Sequence, residues 1–119
     1  MYINNDLRIG SGASGGASGY KVAVDGKIIA EEVRVQLSSA WPDYVFEEDY
    51  KIMSLEKLEQ EILQLGHLPG IPSAQEVESE GIALGNMQKM MMEKIEELTL
   101  HIIQLNKEIE QLKSSADEK

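Results

Sequence analysis

The chain has 119 residues, of which 5% are aromatic and none is cysteine, and its formal net charge is −10 at pH 7. Lacking cysteine, it cannot form a disulfide framework or a thiolate metal site. The acidic balance is wrong for nucleic-acid backbones and anionic membranes, both of which attract basic surfaces. The length holds one domain, or a small domain with an extended appendage. So small a core gains from surface buried against identical chains.

No run approaches the roughly 20 apolar residues of a membrane helix, so no membrane insertion is expected. The start, Met1-Tyr2-Ile3-Asn4-Asn5-Asp6, lacks the basic and apolar regions of a signal peptide.

Residues 1–19 divide into a short strand pattern and a glycine-serine segment. Tyr2-Ile3 and Leu7-Arg8-Ile9 are the apolar parts of the first. Gly10 to Gly19 reads Gly-Ser-Gly-Ala-Ser-Gly-Gly-Ala-Ser-Gly, a composition that buries nothing and behaves as a flexible linker or irregular loop. It lacks the Lys-Ser/Thr ending and the strand-to-helix setting of a phosphate loop.

Residues 20–39 carry a strand pattern. Val22 and Val24 alternate with small or polar residues up to Asp25-Gly26, a dipeptide suited to a tight turn. Ile29, Val33, Val35 and Leu37 continue with near period-two spacing, which predicts a β-hairpin from Tyr20 to Leu37. A two-stranded hairpin is marginal alone, and identical chains are the simplest pairing partners.

Residues 40–83 are read as an aromatic loop and two short helices. Residues 40–53 hold the only Trp (Trp41), the only Phe (Phe46), Tyr44 and Tyr50. Pro42 forbids regular helix there, so the segment is expected to be irregular, with its aromatics anchored on the helices. Ser54 caps a helix with Leu55, Leu58, Ile62 and Leu65 on one face and Gly66 as its stop. His67-Leu68-Pro69-Gly70-Ile71-Pro72 is a rigid turn. Ser73 and Glu76 form the capping box of a second helix that ends at Gly81.

Residues 84–113 form the strongest pattern. Leu84, Met91, Leu98, Leu105 and Leu112 recur every seven residues, and Gln88, Ile95, Ile102 and Ile109 make the second seam. Spacings that alternate three and four over four heptads predict a left-handed coiled coil. Glu108 and Lys113 sit at the g and e positions that meet between parallel neighbours. Met87, Met90, Met92, Leu100 and Ile103 broaden the stripe in the first half, where the two shorter helices are expected to pack around the rod. Ile at a with Leu at d favours two strands on the parallel-dimer rule. Residues 114–119 are expected to be a disordered tail.

No nucleophile–base–orienter set is visible, and no catalytic, cofactor-binding or metal-ligating residue is assigned. His67 and His101 are read as solvated or packed, with His101 at a g position. Glu47-Glu48-Asp49 is read as a solvated acidic turn, since nothing matches a cation-loop spacing.

Tyr20-Lys21-Val22-Ala23-Val24-Asp25-Gly26-Lys27-Ile28 resembles the short β-repeat that ends many repetitive fibre and adhesin-like proteins of Bacteroidetes bacteria and their phages. Trp41-Pro42-Asp43-Tyr44-Val45-Phe46, His67-Leu68-Pro69-Gly70-Ile71-Pro72-Ser73-Ala74 and Lys94-Ile95-Glu96-Glu97-Leu98-Thr99-Leu100 resemble the domain that follows that repeat. In position and general design this domain is similar to tail-fibre intramolecular chaperones of the endosialidase type. The resemblance implies an α+β homotrimer in which a β-repeat leads into a helical cap and a parallel coiled coil. It implies a structural tip or trimerisation module of a phage tail fibre or similar extracellular fibre, located on a virion tail or fibre. The partners implied are copies of itself, the rest of the particle and a cell-surface receptor. The endosialidase-type family also implies an alternative, a chaperone that cleaves itself once at a serine assisted by a basic residue. Ser38 and Ser39 lie at the strand-to-cap junction, but no motif residue beside them matches. A further alternative is an assembly adaptor whose helix pairs with a different protein.

Overall fold

The computed structural model describes residues 6–13, 19–37 and 41–117, and the chain falls into two units, Met1–Arg34 and Val35–Lys119. Tyr2-Ile3, Ser38 and Ser39 lie outside the described residues. The elements place the chain in the α+β class: two short strands, then helices, the last of them long.

In the first unit, strands β1 (Leu7–Ile9) and β2 (Val22–Val24) pair in parallel, with Leu7 opposite Val22, Arg8 opposite Ala23 and Ile9 opposite Val24. The Leu7 N–H donates to Lys21 O (2.7 Å) and the Asp25 N–H to Ile9 O (2.8 Å), which extends the ladder at both ends. This corrects the predicted hairpin: β2 pairs backwards in sequence with β1, and residues 27–37 form no strand. The favoured two-residue hairpin turn needs positive φ at both central positions. Among the described residues only glycines have positive φ, so Asp25 does not enter such a turn. Its carboxylate instead accepts the Gly12 N–H at Oδ2 (3.0 Å). Gly10, at φ 94°, fits against the same residue, because a Cβ there would lie 2.8 Å from Asp25 Cβ.

Residues 10–13, the described start of the glycine-rich segment, are correspondingly less featureless than their composition predicts. Ala13 is 7% exposed, and its carbonyl accepts from Arg8 Nη1 at 3.0 Å. Leu7, Ile9, Val22, Ile28, Ile29 and Val33 all remain exposed. Apolar burial in this unit is therefore slight.

The second unit is helical. Helix α1 (Leu55–Leu65) starts where Ser54 Oγ accepts the Lys57 N–H (3.2 Å) and ends at Gly66 in the left-handed conformation, φ 80°. Helix α2 (Ala74–Glu80) opens on a complete capping box: Ser73 Oγ accepts the Glu76 N–H (3.2 Å), and Glu76 Oε1 accepts the Ser73 N–H (3.3 Å). Each cap satisfies N–H groups that no preceding turn of helix can reach. Helix α3 (Leu84–Asp117) has 34 residues and so is about 51 Å long at 1.5 Å per residue. Ser114–Asp117 are helical where the sequence predicts a disordered tail. With Ser-Ser-Ala following three turns of good helix formers, the helix propagates at little cost.

Between Pro42 and Tyr50 the chain makes a 3₁₀ turn, Tyr44–Phe46, against α3. The backbone of this turn comes close to the long helix, and Leu58 of α1 lines a cleft together with Leu98 and His101 of α3. Pro42 and Val45 are fully buried in the turn segment. Trp41 and Phe46, expected as anchors, are about half exposed. The small, rigid side chains fit beneath the turn, whereas the large rings are left at its edge.

Candidate self-association face

All nine predicted seam residues lie on α3: Leu84, Gln88, Met91, Ile95, Leu98, Ile102, Leu105, Ile109 and Leu112. Every one is exposed, the eight apolar members by 43% to 70%. At about 100° per residue they occupy one flank of the helix. The half-buried or buried positions Lys89, Glu93, Glu96, Glu97 and Leu100 lie roughly opposite. Up to His101 the other side of α3 is partly covered while the heptad residues are exposed; from Ile102 onward every described residue of the helix is exposed. Met87, Met90, Met92 and Leu100 are half-buried, while Ile103 is exposed.

The covered side is polar where a core would be apolar. The Tyr44 hydroxyl donates to Glu93 Oε2, and the Tyr50 hydroxyl donates to Glu97 Oε2 (3.4 Å). The two rings sit 5.7 Å apart at 42°. Glu96 is 6% exposed, and its Oε2 has no hydrogen-bond partner. Lys94 Nζ lies 3.2 Å from Glu97 Oε1 and 3.9 Å from Glu93 Oε1. Hydrogen bonding to Glu93, then burial, pushes the Tyr44 phenol up to about 12. Burial, then the Glu97 charge, raises Tyr50. Burial first, then the bond to Asp43, raises Glu96. Each shift favours the protonated group, because the uncharged form is the one that loses least on leaving water.

The sequence places the aromatics of residues 40–53 against the helices, as Tyr44 and Tyr50 are, but does not single out their carboxylate partners, although a signal is present. Glu93, Glu96 and Glu97 follow the i, i+3, i+4 spacing that puts three side chains on one helix face. The heptad pattern drew attention to the opposite face.

Beside the seam, Met53, Leu58, Leu68, Pro69, Lys94, Glu97, Leu98 and His101 line a small cleft of about 80 Å³. The His67-to-Pro72 turn is held by Ile71 N–H donating to Leu68 O (3.2 Å). Among the described residues, no cluster of three or more His, Asp or Glu side chains is placed to hold a metal ion. No helix among them is long and apolar enough to cross a membrane. Glu47, Glu48 and Asp49 are exposed. Comparison with family models, curated proteins and solved structures returns no match for this chain.

Proposed function

We propose that the chain is a structural module that joins identical chains through the heptad flank of α3. The supporting observation is that all nine heptad residues of α3 are exposed on one flank, while the 42–50 segment packs on the flank that carries Glu93 and Glu97. A continuous apolar stripe of this kind on a soluble protein marks an association surface. A second copy offers an identical stripe with the same repeat, so the match extends over every heptad. The seam is proposed to be parallel. The proposed subunit number is three, and the proposed setting is the tip or trimerisation cap of a phage tail fibre or similar extracellular fibre. Both rest on the sequence resemblance. In that setting the module acts as a chaperone for the assembly of the fibre and is a point of contact with a cell-surface receptor.

Light scattering on the purified chain tests the reading. Three copies at micromolar concentration are expected. A monomer would overturn self-association, and a dimer would overturn the trimeric cap while leaving the seam in place. Disulfide formation between copies of a Lys113→Cys variant would confirm parallel helices, since antiparallel packing would hold those positions a rod-length apart.

A further inference from the structure

The cleft of about 80 Å³ beside α3 has walls from two parts of the chain: Met53, Leu58, Leu68 and Pro69 on one side, Leu98 and His101 on the other. Leu98 is also a heptad residue, so the cleft borders the seam directly. Leu68 and Leu98 are 45% and 54% exposed, which leaves apolar surface that is stabilised by being covered. At the rim, Lys94 Nζ lies 3.2 Å from Glu97 Oε1, so the lysine charge there is already balanced. Such a site suits a small, uncharged side chain.

The heptad register decides which side chain of a second copy arrives there. Lys94, His101 and Glu108 are successive g positions, and in parallel helices the g edge of one meets the e edge of the next. The offset that brings Glu108 to Lys113 of a second copy also brings Lys94 to that copy's Thr99 and His101 to its Asn106. The charges match along this edge: Glu108 meets a cation, whereas the balanced Lys94 and the cleft meet uncharged residues. Thr99 is exposed, and its hydroxyl donates to Ile95 O of its own helix (2.7 Å), leaving its methyl to meet an apolar surface.

We propose that this cleft receives Thr99 of a second copy, so that α1 and the 67–72 turn of one chain grip the e edge of its neighbour's α3. The inference rests on the parallel self-association proposed above and adds a second contact to the seam. Thr99 lies across the seam from the cleft of its own chain, so it is offered to a neighbour and not to itself. The same pairing closes with two copies or with three.

The chain has no cysteine, so an introduced pair reports a single contact. Intact Leu68→Cys and Thr99→Cys chains are mixed in equal amounts, unfolded and refolded together, and oxidised; peptide mass mapping reads the linkage. Both side chains are exposed in the single chain, which keeps the cost to folding small. A disulfide joining position 68 of one chain to position 99 of another is expected. Leu68→Cys mixed with Lys113→Cys should give no link between those two positions. They are two heptads out of level, about 21 Å along the rod, whereas a disulfide needs Cα atoms within about 7 Å. Light scattering on the reduced mixtures separates the failures. Assembled chains without the 68–99 link, or with an equally strong 68–113 link, would overturn the docking and leave self-association standing. Monomeric chains would overturn both.

Discussion

The Tyr44 hydroxyl donates to Glu93 Oε2, joining the 3₁₀ turn to the middle of α3. A tyrosine in an unfolded chain ionises near pH 10, whereas this one is pushed up to about 12, first by the bond itself and then by burial. The folded state thus holds the phenolic proton more tightly. Its contribution is complete below about pH 10 and lost as pH rises through about 12. Tyr44→Phe should remove the most alkaline step from the phenolate absorbance titration. It should also cost about 1 kcal/mol in urea unfolding, the usual net value of one hydrogen bond. A titration curve that keeps that step would place the raised phenol elsewhere.

Gly85 opens α3 without a side chain because two others occupy the space. A Cβ there would lie 2.7 Å from Leu37 Cδ2 and 2.8 Å from Val35 Cγ1. Alanine gains roughly 1 kcal/mol in helix propensity over glycine, but crowding of a packed contact costs about 1–3 kcal/mol. Val35 has little rotamer freedom with which to move aside. Gly85→Ala is expected to destabilise the chain by up to about 2 kcal/mol, the difference between those terms. Combined with Val35→Ala, its cost should shrink by more than about 0.5 kcal/mol, the coupling expected of residues in contact. Strict additivity in the double-mutant cycle would mean that residues 35–37 do not rest on the helix.

Ile102 and Glu110 are both exposed on α3, yet they should respond differently. Ile102 is at the centre of the proposed seam, where Ile102→Asp would bury an unpaired carboxylate at a cost of several kcal/mol per chain. Glu110 lies off the seam, and Glu110→Ala should stay within about 0.5 kcal/mol. Light scattering should show dissociation of the first variant and intact assembly of the second. Equal loss in both would mean that the heptad register is misassigned.

The helical part should hold the strands together, and not the reverse. The β1–β2 pair is three residues long in each strand, and its apolar residues are exposed. A coiled coil is built from local contacts, whereas pairing distant segments closes long loops before any contact compensates. Residues 82–119 alone should remain helical and associated, and residues 1–81 alone should be monomeric or aggregated. Circular dichroism and light scattering on both fragments check this. Assembly of residues 1–81 unaided would assign the organising role to the wrong part.

The helices were legible because their signals are local. Ser54 and Gly66 bound α1, Ser73 with Glu76 and Gly81 bound α2, and each acts through hydrogen bonds or dihedral angles within a few residues of itself. The heptads of α3 are likewise a periodicity of the chain, visible without knowing what covers them. All nine heptad residues are exposed, but so is every described residue of α3 from Ile102 onward.

Two features were decided only by tertiary structure, and both depend on partners remote in sequence. Whether Asp25-Gly26 turns a hairpin depended on a competing donor for the Asp25 carboxylate, the Gly12 N–H, and on β1 being available to pair with β2. Which residues anchor the 42–50 segment depended on the shape beneath it. Pro42 and Val45 are buried, Tyr44 and Tyr50 are half-buried with their hydroxyls on Glu93 and Glu97, and Trp41 and Phe46 stay about half exposed. Sequence by itself determined the elements whose hydrogen bonds close within a turn or two of helix. Contacts across dozens of residues compete with one another for the same chain, and only the folded geometry determines which of them form.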